Sequence, residues 1–156
     1  MTAGRGQGPE RGVGPGGGSG GPTRYLLDTV VLIWAVRGLH EAPAVLASLR
    51  RRGSLAVSAI TLLELRRALS PEEYLAAEEE LAGVEVVPLD AAVARAAGNY
   101  LVRCADEGYR VDFFAGIIQA TAALTGRALV TYSEAHYPLA DCEIVPLATL
   151  DLAPEG

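Results

Sequence analysis

"RYLLDTVVLIWAV", residues 24–36, holds a single carboxylate in a run that is otherwise apolar except for Arg24 and Thr29. An isolated acid in such a segment is unfavourable unless something compensates it. Asp28 therefore either caps a helix or binds a ligand. "YLLD" reads as a first strand and "TVVLIWAVRG" as a helix that closes at Gly38. A strand that runs straight into a helix is one half of a β/α repeat, so the fold depends on whether the pattern recurs downstream.

It recurs to the end of the chain. "APAVLASLRRRG" is a second helix with Gly53 as its stop, "SLAVSA" a short buried strand, and "ITLLELRRAL" a helix halted before Pro71. "PEEYLAAEEELAG" adds a helix whose acidic first turn suits the macrodipole, and "VEVVPL" a third strand. Asp90 stands as N-cap of the long amphipathic helix "AAVARAAGNYLVRCADEG". The helix "FFAGIIQATAALTG" and the strands "ALVTY" and "CEIVPL" complete the series. Strands separated by helices give an α/β fold, a three-layer α/β/α sandwich with a mainly parallel central sheet. Residues 1–22, dominated by glycine, cannot bury enough apolar surface to offset chain entropy and are expected to form a disordered tail. Residues 23–150 make one domain and residues 151–156 a C-terminal tail.

The composition narrows the classes of function. The 156 residues are 50% hydrophobic, enough for a substantial core. No apolar run approaches the roughly 20 residues of a membrane-spanning helix, and no secretory signal is evident, so a cytoplasmic location without membrane attachment is expected. Cys104 and Cys142 show no metal or disulfide spacing and read as free thiols. A net charge of -6 argues against binding nucleic acid through overall charge, though not through a local patch. All 13 basic residues are arginine, the better phosphate fork, which marks Arg50, Arg51, Arg52, Arg66 and Arg67 as phosphate contacts or else as solvated helix faces.

In a parallel sheet, ligands bind beyond the carboxyl ends of the strands. Asp28 ends the first strand and Glu64 follows the second, so both carboxylates point to that edge, an arrangement suited to Mg²⁺. The alternatives are a helix cap for Asp28, and pairing with Arg67 or the helix dipole for Glu64.

The four blocks "YLLDTVVLIWAVRG", "LAVSAITLLELRRAL", "VVPLDAAVARAAG" and "IIQATAALTGRALVTYSEAHYP", in this order and spacing, resemble the PIN domain, with the VapC-like toxins of bacterial toxin-antitoxin pairs as the nearest subgroup. The resemblance covers residues 24–147. It implies a Mg²⁺- or Mn²⁺-dependent endoribonuclease in which acidic residues gather one or two ions, with Asp28 as first ligand and Glu64 as second. The remaining positions depart from the pattern. Val30 stands where the family has Asn after "LDT", Ala115 where the third acid stands, and Ser133 or His136 where "VTRNxxDF" carries the fourth. Asp112, three residues before Ala115, offers a substitute ligand or else only caps its helix, and Glu134 and His136 are lesser candidates. The expected function is thus that of a VapC-type ribonuclease with its activity weakened or lost, using a metal site of Asp28, Glu64 and Asp112. The alternative is an inactive PIN-like module that binds protein or RNA. The resemblance further implies RNA as substrate, a small antitoxin partner and a homodimer, with "TVVLIWAVRG" and "PEEYLAAEEELAG" offering contact surface and Trp34 either an anchor there or a core residue.

Overall fold

The computed structural model describes residues 21–150. Five strands, β1 (Thr23–Leu27), β2 (Gly53–Ser58), β3 (Glu85–Val87), β4 (Ala128–Thr131) and β5 (Ile144–Pro146), form one parallel sheet in the order β3-β2-β1-β4-β5. The helices are α1 (Thr29–Val36), α2 (Ala42–Arg52), α3 (Ala59–Ala68), α4 (Pro71–Glu80), α5 (Ala91–Asp106) and α6 (Phe113–Thr125), with short 3-10 turns at Glu134–His136 and Leu147–Thr149. The expected α/β/α sandwich is what forms. Of the tails expected over residues 1–22 and 151–156, residues 1–20 and 151–156 lie outside the described residues.

Side-chain alternation along the strands divides the core between the two layers of helices. Tyr25, Leu27, Leu55, Val57 and Val130 face Val31, Leu32, Val45, Leu49 and Leu65 on one side. Leu26, Ala56, Val87 and Leu129 face Ile118, Ala122 and Tyr137 on the other. Both faces of β1 are buried, which explains why its sequence reads as a continuous apolar run.

Local signals set the helix boundaries. Ser70 and Glu73 form a reciprocal capping box, with Glu73 N donating to Ser70 Oγ at 3.2 Å and Ser70 N donating to Glu73 Oε2 at 2.9 Å. Asp90 caps α5 as expected, accepting from Val93 N at 2.9 Å. Gly126 ends α6 in the left-handed region at φ 62°.

Gly53 stops α2 as expected, standing at its C-cap, but with an extended φ of -175° in place of a left-handed one, and it opens β2 as well. It pairs with Thr23 of β1, and a Cβ at this position would stand 1.8 Å from the Thr23 carbonyl oxygen. Glycine is needed here for the close approach of two backbones. Strand one also ends one residue earlier than read, at Leu27, which leaves Asp28 at the N-cap position of α1. Among the described residues no helix is long and apolar enough to cross a membrane. Cys104 is buried and Cys142 half-buried, and both are free.

Gly53→Ala is expected to destabilise the fold by about 3 kcal/mol, since the added carbon forces β1 and β2 apart. Chemical denaturation followed by circular dichroism measures this, and a midpoint equal to that of the parent would show that the strands can separate without cost.

Candidate active site

The strand order places the topological switch at β1: the chain builds β2 and β3 to one side, then returns to lay β4 and β5 on the other. Crevices open at the carboxyl edge beside such a switch. Asp28 sits there, its amide donating to the Val130 carbonyl of β4 at 2.9 Å. Although it occupies the N-cap position, its side chain makes no capping hydrogen bond and in α1 meets only the Thr29 amide next to it. The carboxylate turns across to β4, where Thr131 Oγ1 donates to Oδ2 at 2.8 Å, and the Tyr137 hydroxyl and the Thr29 amide also donate to it. Only 8% exposed, Asp28 has its pKa raised by burial, against which these three donors and the His136 charge pull down.

Glu64 projects from the second turn of α3 and is half-buried. Thr29 Oγ1 donates to its Oε1 at 2.8 Å, and the same hydroxyl lies 2.9 Å from Thr61 Oγ1, one turn before Glu64. Burial raises the Glu64 pKa; the Thr29 hydrogen bond lowers it, the charges of Asp28 and Asp112 raise it further, and Arg67 lowers it. Asp112 occupies the N-cap position of α6, exposed, with no side-chain cap hydrogen bond. The capping alternatives for both aspartates therefore have no hydrogen bond behind them. All three acids line one cleft of about 560 Å³.

The substituted positions divide. Val30 and Ala115 line the cleft and give it an apolar wall where acidic or amide groups were expected. Ser133 caps the 3-10 turn instead, accepting from Ala135 N at 3.3 Å. His136 reaches the cleft, whereas Glu134 does not line it. Of the arginines, Arg50 is held on α4 by the Glu80 carboxylate at 3.0 Å and carbonyl at 2.6 Å, and Arg66 lies over the Tyr74 ring. Arg67 borders a hollow shared with Glu64 and Asp112, and Arg110 lines the main cleft. Sequence reasoning missed Arg110, Thr131 and Tyr137. Thr131 and Tyr137 left a signal, since they fall at the Thr and the closing aromatic of "VTRNxxDF", and Tyr137 carries an added hydroxyl.

The donor set consists of hard oxygens around an open cleft. Among the described residues no three His, Cys, Asp or Glu side chains converge into a ready cage. Mg²⁺ commonly binds through one or two carboxylates and completes its shell with water and substrate phosphate. Asp28 and Glu64, with Asp112 across the cleft, fit an open site of that kind.

Comparison with known proteins agrees with this geometry. The PIN domain matches residues 25–141. The chain belongs to the PIN domain family. Within it, this PIN domain is 32% identical to Ribonuclease VapC10 of Mycobacterium tuberculosis over 114 residues, covering 73% of this chain and 86% of the relative. Its fold superposes on VapBC-5, a toxin-antitoxin system of the same organism, with 26% identity and a TM-score of 0.59 over 81% of this chain and all of that one. VapBC-1 of nontypeable Haemophilus influenzae shares the fold at 18% identity, with a TM-score of 0.68 over 81% of this chain and 100% of that one. The chain is thus a VapC-like member of a ribonuclease family.

The raised Glu64 pKa has a measurable consequence. Folding disfavours its charged form, so the associated stability is full below the ordinary value of 4.5 and is lost as pH rises through the folded value. Glu64→Gln, which keeps an acceptor for Thr29, is expected to raise Tm by about 2 °C at neutral pH in metal-free buffer, with the gain disappearing as pH falls below 4.5. Thermal melts of both proteins across pH test this, and a variant less stable than the parent at neutral pH contradicts it.

Proposed function

We propose that this PIN domain is a divalent-metal-dependent endoribonuclease with a reduced acidic site, in which Asp28 and Glu64 hold Mg²⁺ or Mn²⁺ and Asp112 supplies a third carboxylate. The observation that carries the reading is that these three acids line one cleft, where the charges of Asp28 and Asp112 add to burial in raising the Glu64 pKa. When bound, the ion supplies charge neutralisation and an activated water for phosphodiester hydrolysis. The chain's own residues orient and position. Thr131 and Tyr137 fix the Asp28 carboxylate, Thr29 fixes Glu64, and Arg67 and Arg110 border the cleft where they can bind RNA phosphates. The likeness to VapBC complexes supports a small antitoxin as partner, a homodimeric toxin and a cytoplasmic setting. Leu75 of α4, 67% exposed, lies on one of the two helices expected to carry such contacts.

A second reading, an inactive binding module, is favoured by the apolar wall of Val30 and Ala115. The two readings separate in one assay. Folded protein with Mg²⁺ or Mn²⁺ is expected to cleave single-stranded RNA slowly, and Asp28→Asn to lower the rate about 100-fold. Ala115→Asp, which adds an acid to the cleft wall, is expected to tighten metal binding about tenfold, read by calorimetry. Absence of metal-dependent cleavage from a folded sample would leave the second reading standing.

A further inference from the structure

A second cavity, of about 420 Å³, adjoins the cleft, and Tyr132 lines both. Its walls carry a run of aromatic rings that continues from the acidic site. His136 in the cleft lies 4.5 Å from Tyr132 between ring centroids, Tyr132 lies 5.0 Å from Trp34, and Trp34 lies 4.2 Å from His40. The planes are tilted by 46° to 55°, and Trp34, His40 and Tyr132 all line this cavity. Trp34 and Tyr132 are only half-buried and His40 is exposed. At the rim stands Glu41, exposed, without an ion pair among the described residues, and held with His40 in the left-handed region at φ 59° and 51°. Residues other than glycine and asparagine seldom adopt this conformation, and here it sets both side chains at the cavity mouth.

We infer that Trp34, His40 and Tyr132, with Glu41 at the edge, form a nucleobase subsite for a nucleotide neighbouring the scissile phosphate, selective for a base with an exocyclic amine. This rests on the ribonuclease reading of the adjoining cleft. The carboxylate of Glu41 repels phosphate, so a base and not the backbone enters the cavity. Aromatic rings stack with any base, which gives affinity without sequence preference. Selectivity comes from Glu41, which accepts from the amines of cytosine, adenine or guanine, whereas uracil presents a carbonyl there.

Trp34 is the only tryptophan of the chain and reports directly on the subsite. The full-length protein, in EDTA to prevent hydrolysis, is titrated with hexamers of cytidine, adenosine and uridine while its fluorescence is followed. Saturable quenching is expected with cytidine or adenosine hexamers, at least about fivefold tighter than with uridine. Tyr132→Leu is expected to weaken binding about tenfold through loss of one stacking surface. Glu41→Gln, at an exposed position that does not threaten folding, is expected to cut the preference over uridine below about twofold. Equal binding of all three hexamers overturns the selectivity. Unchanged fluorescence up to millimolar RNA, as when the cavity receives a protein segment, overturns the subsite. The outcomes separate from those of the catalytic reading: quenching without metal-dependent cleavage keeps the subsite and removes the enzyme, and cleavage without quenching does the reverse.

Discussion

Asp28 is a carboxylate kept almost out of water at the one place where the sheet changes direction. Its amide ties β1 to β4 through the Val130 carbonyl, and its side chain ties the same strands through Thr131. Burying an acid is costly, and three donors offset part of that cost while aiming its oxygens at the cleft. The helix that follows, α1, begins with Thr29, whose hydroxyl reaches back to Glu64 and whose amide serves Asp28. One junction of strand and helix thus orients both acids. The raised pKa values are the electrostatic cost of burying these acids, which His136 and Arg67 offset only in part, and a cation beside them would reverse the shifts.

The cleft is polar on one side and apolar on the other. Asp28, Glu64 and Asp112 concentrate negative charge, with Arg67 and Arg110 nearby as the cationic counterpart. Val30 and Ala115 stand where the family resemblance implies polar or acidic groups, so on the proposed reading water and phosphate oxygens would supply the remaining ligands of a metal ion, and its affinity before substrate binds would be low.

The fold was legible from residue 24 onward because the buried strands and amphipathic helices have different periods and each occupies enough residues for the difference to count. Asp90 and Pro71 were legible as helix starts because capping is a local interaction. Gly53 was legible as the end of α2 but its second role was not, because a glycine after a helix looks the same in sequence whether it turns left-handed or admits a neighbouring backbone; only the Thr23 contact distinguishes the two. Asp28 and Glu64 were found through their positions after strands, and Asp112 through its spacing from Ala115. Their supporting groups were not, because Thr131 meets Asp28 across 103 residues of chain and no local pattern announces such a pair. The arginines show the same limit: Arg50 and Arg67 are alike in sequence, yet one is held by Glu80 and the other borders the cleft.

The absent side chain at Gly53 acts at the opposite end of the sheet from the acids. By letting β2 settle against β1 at Thr23, it fixes the separation of the strands whose far ends lead to Asp28 and to α3. That spacing owes nothing to the chemistry of the cleft. A wall residue such as Ala115, which ties no strands together, can therefore change while the frame stays in register, and a single codon change at position 115 would set an acid into geometry already in place.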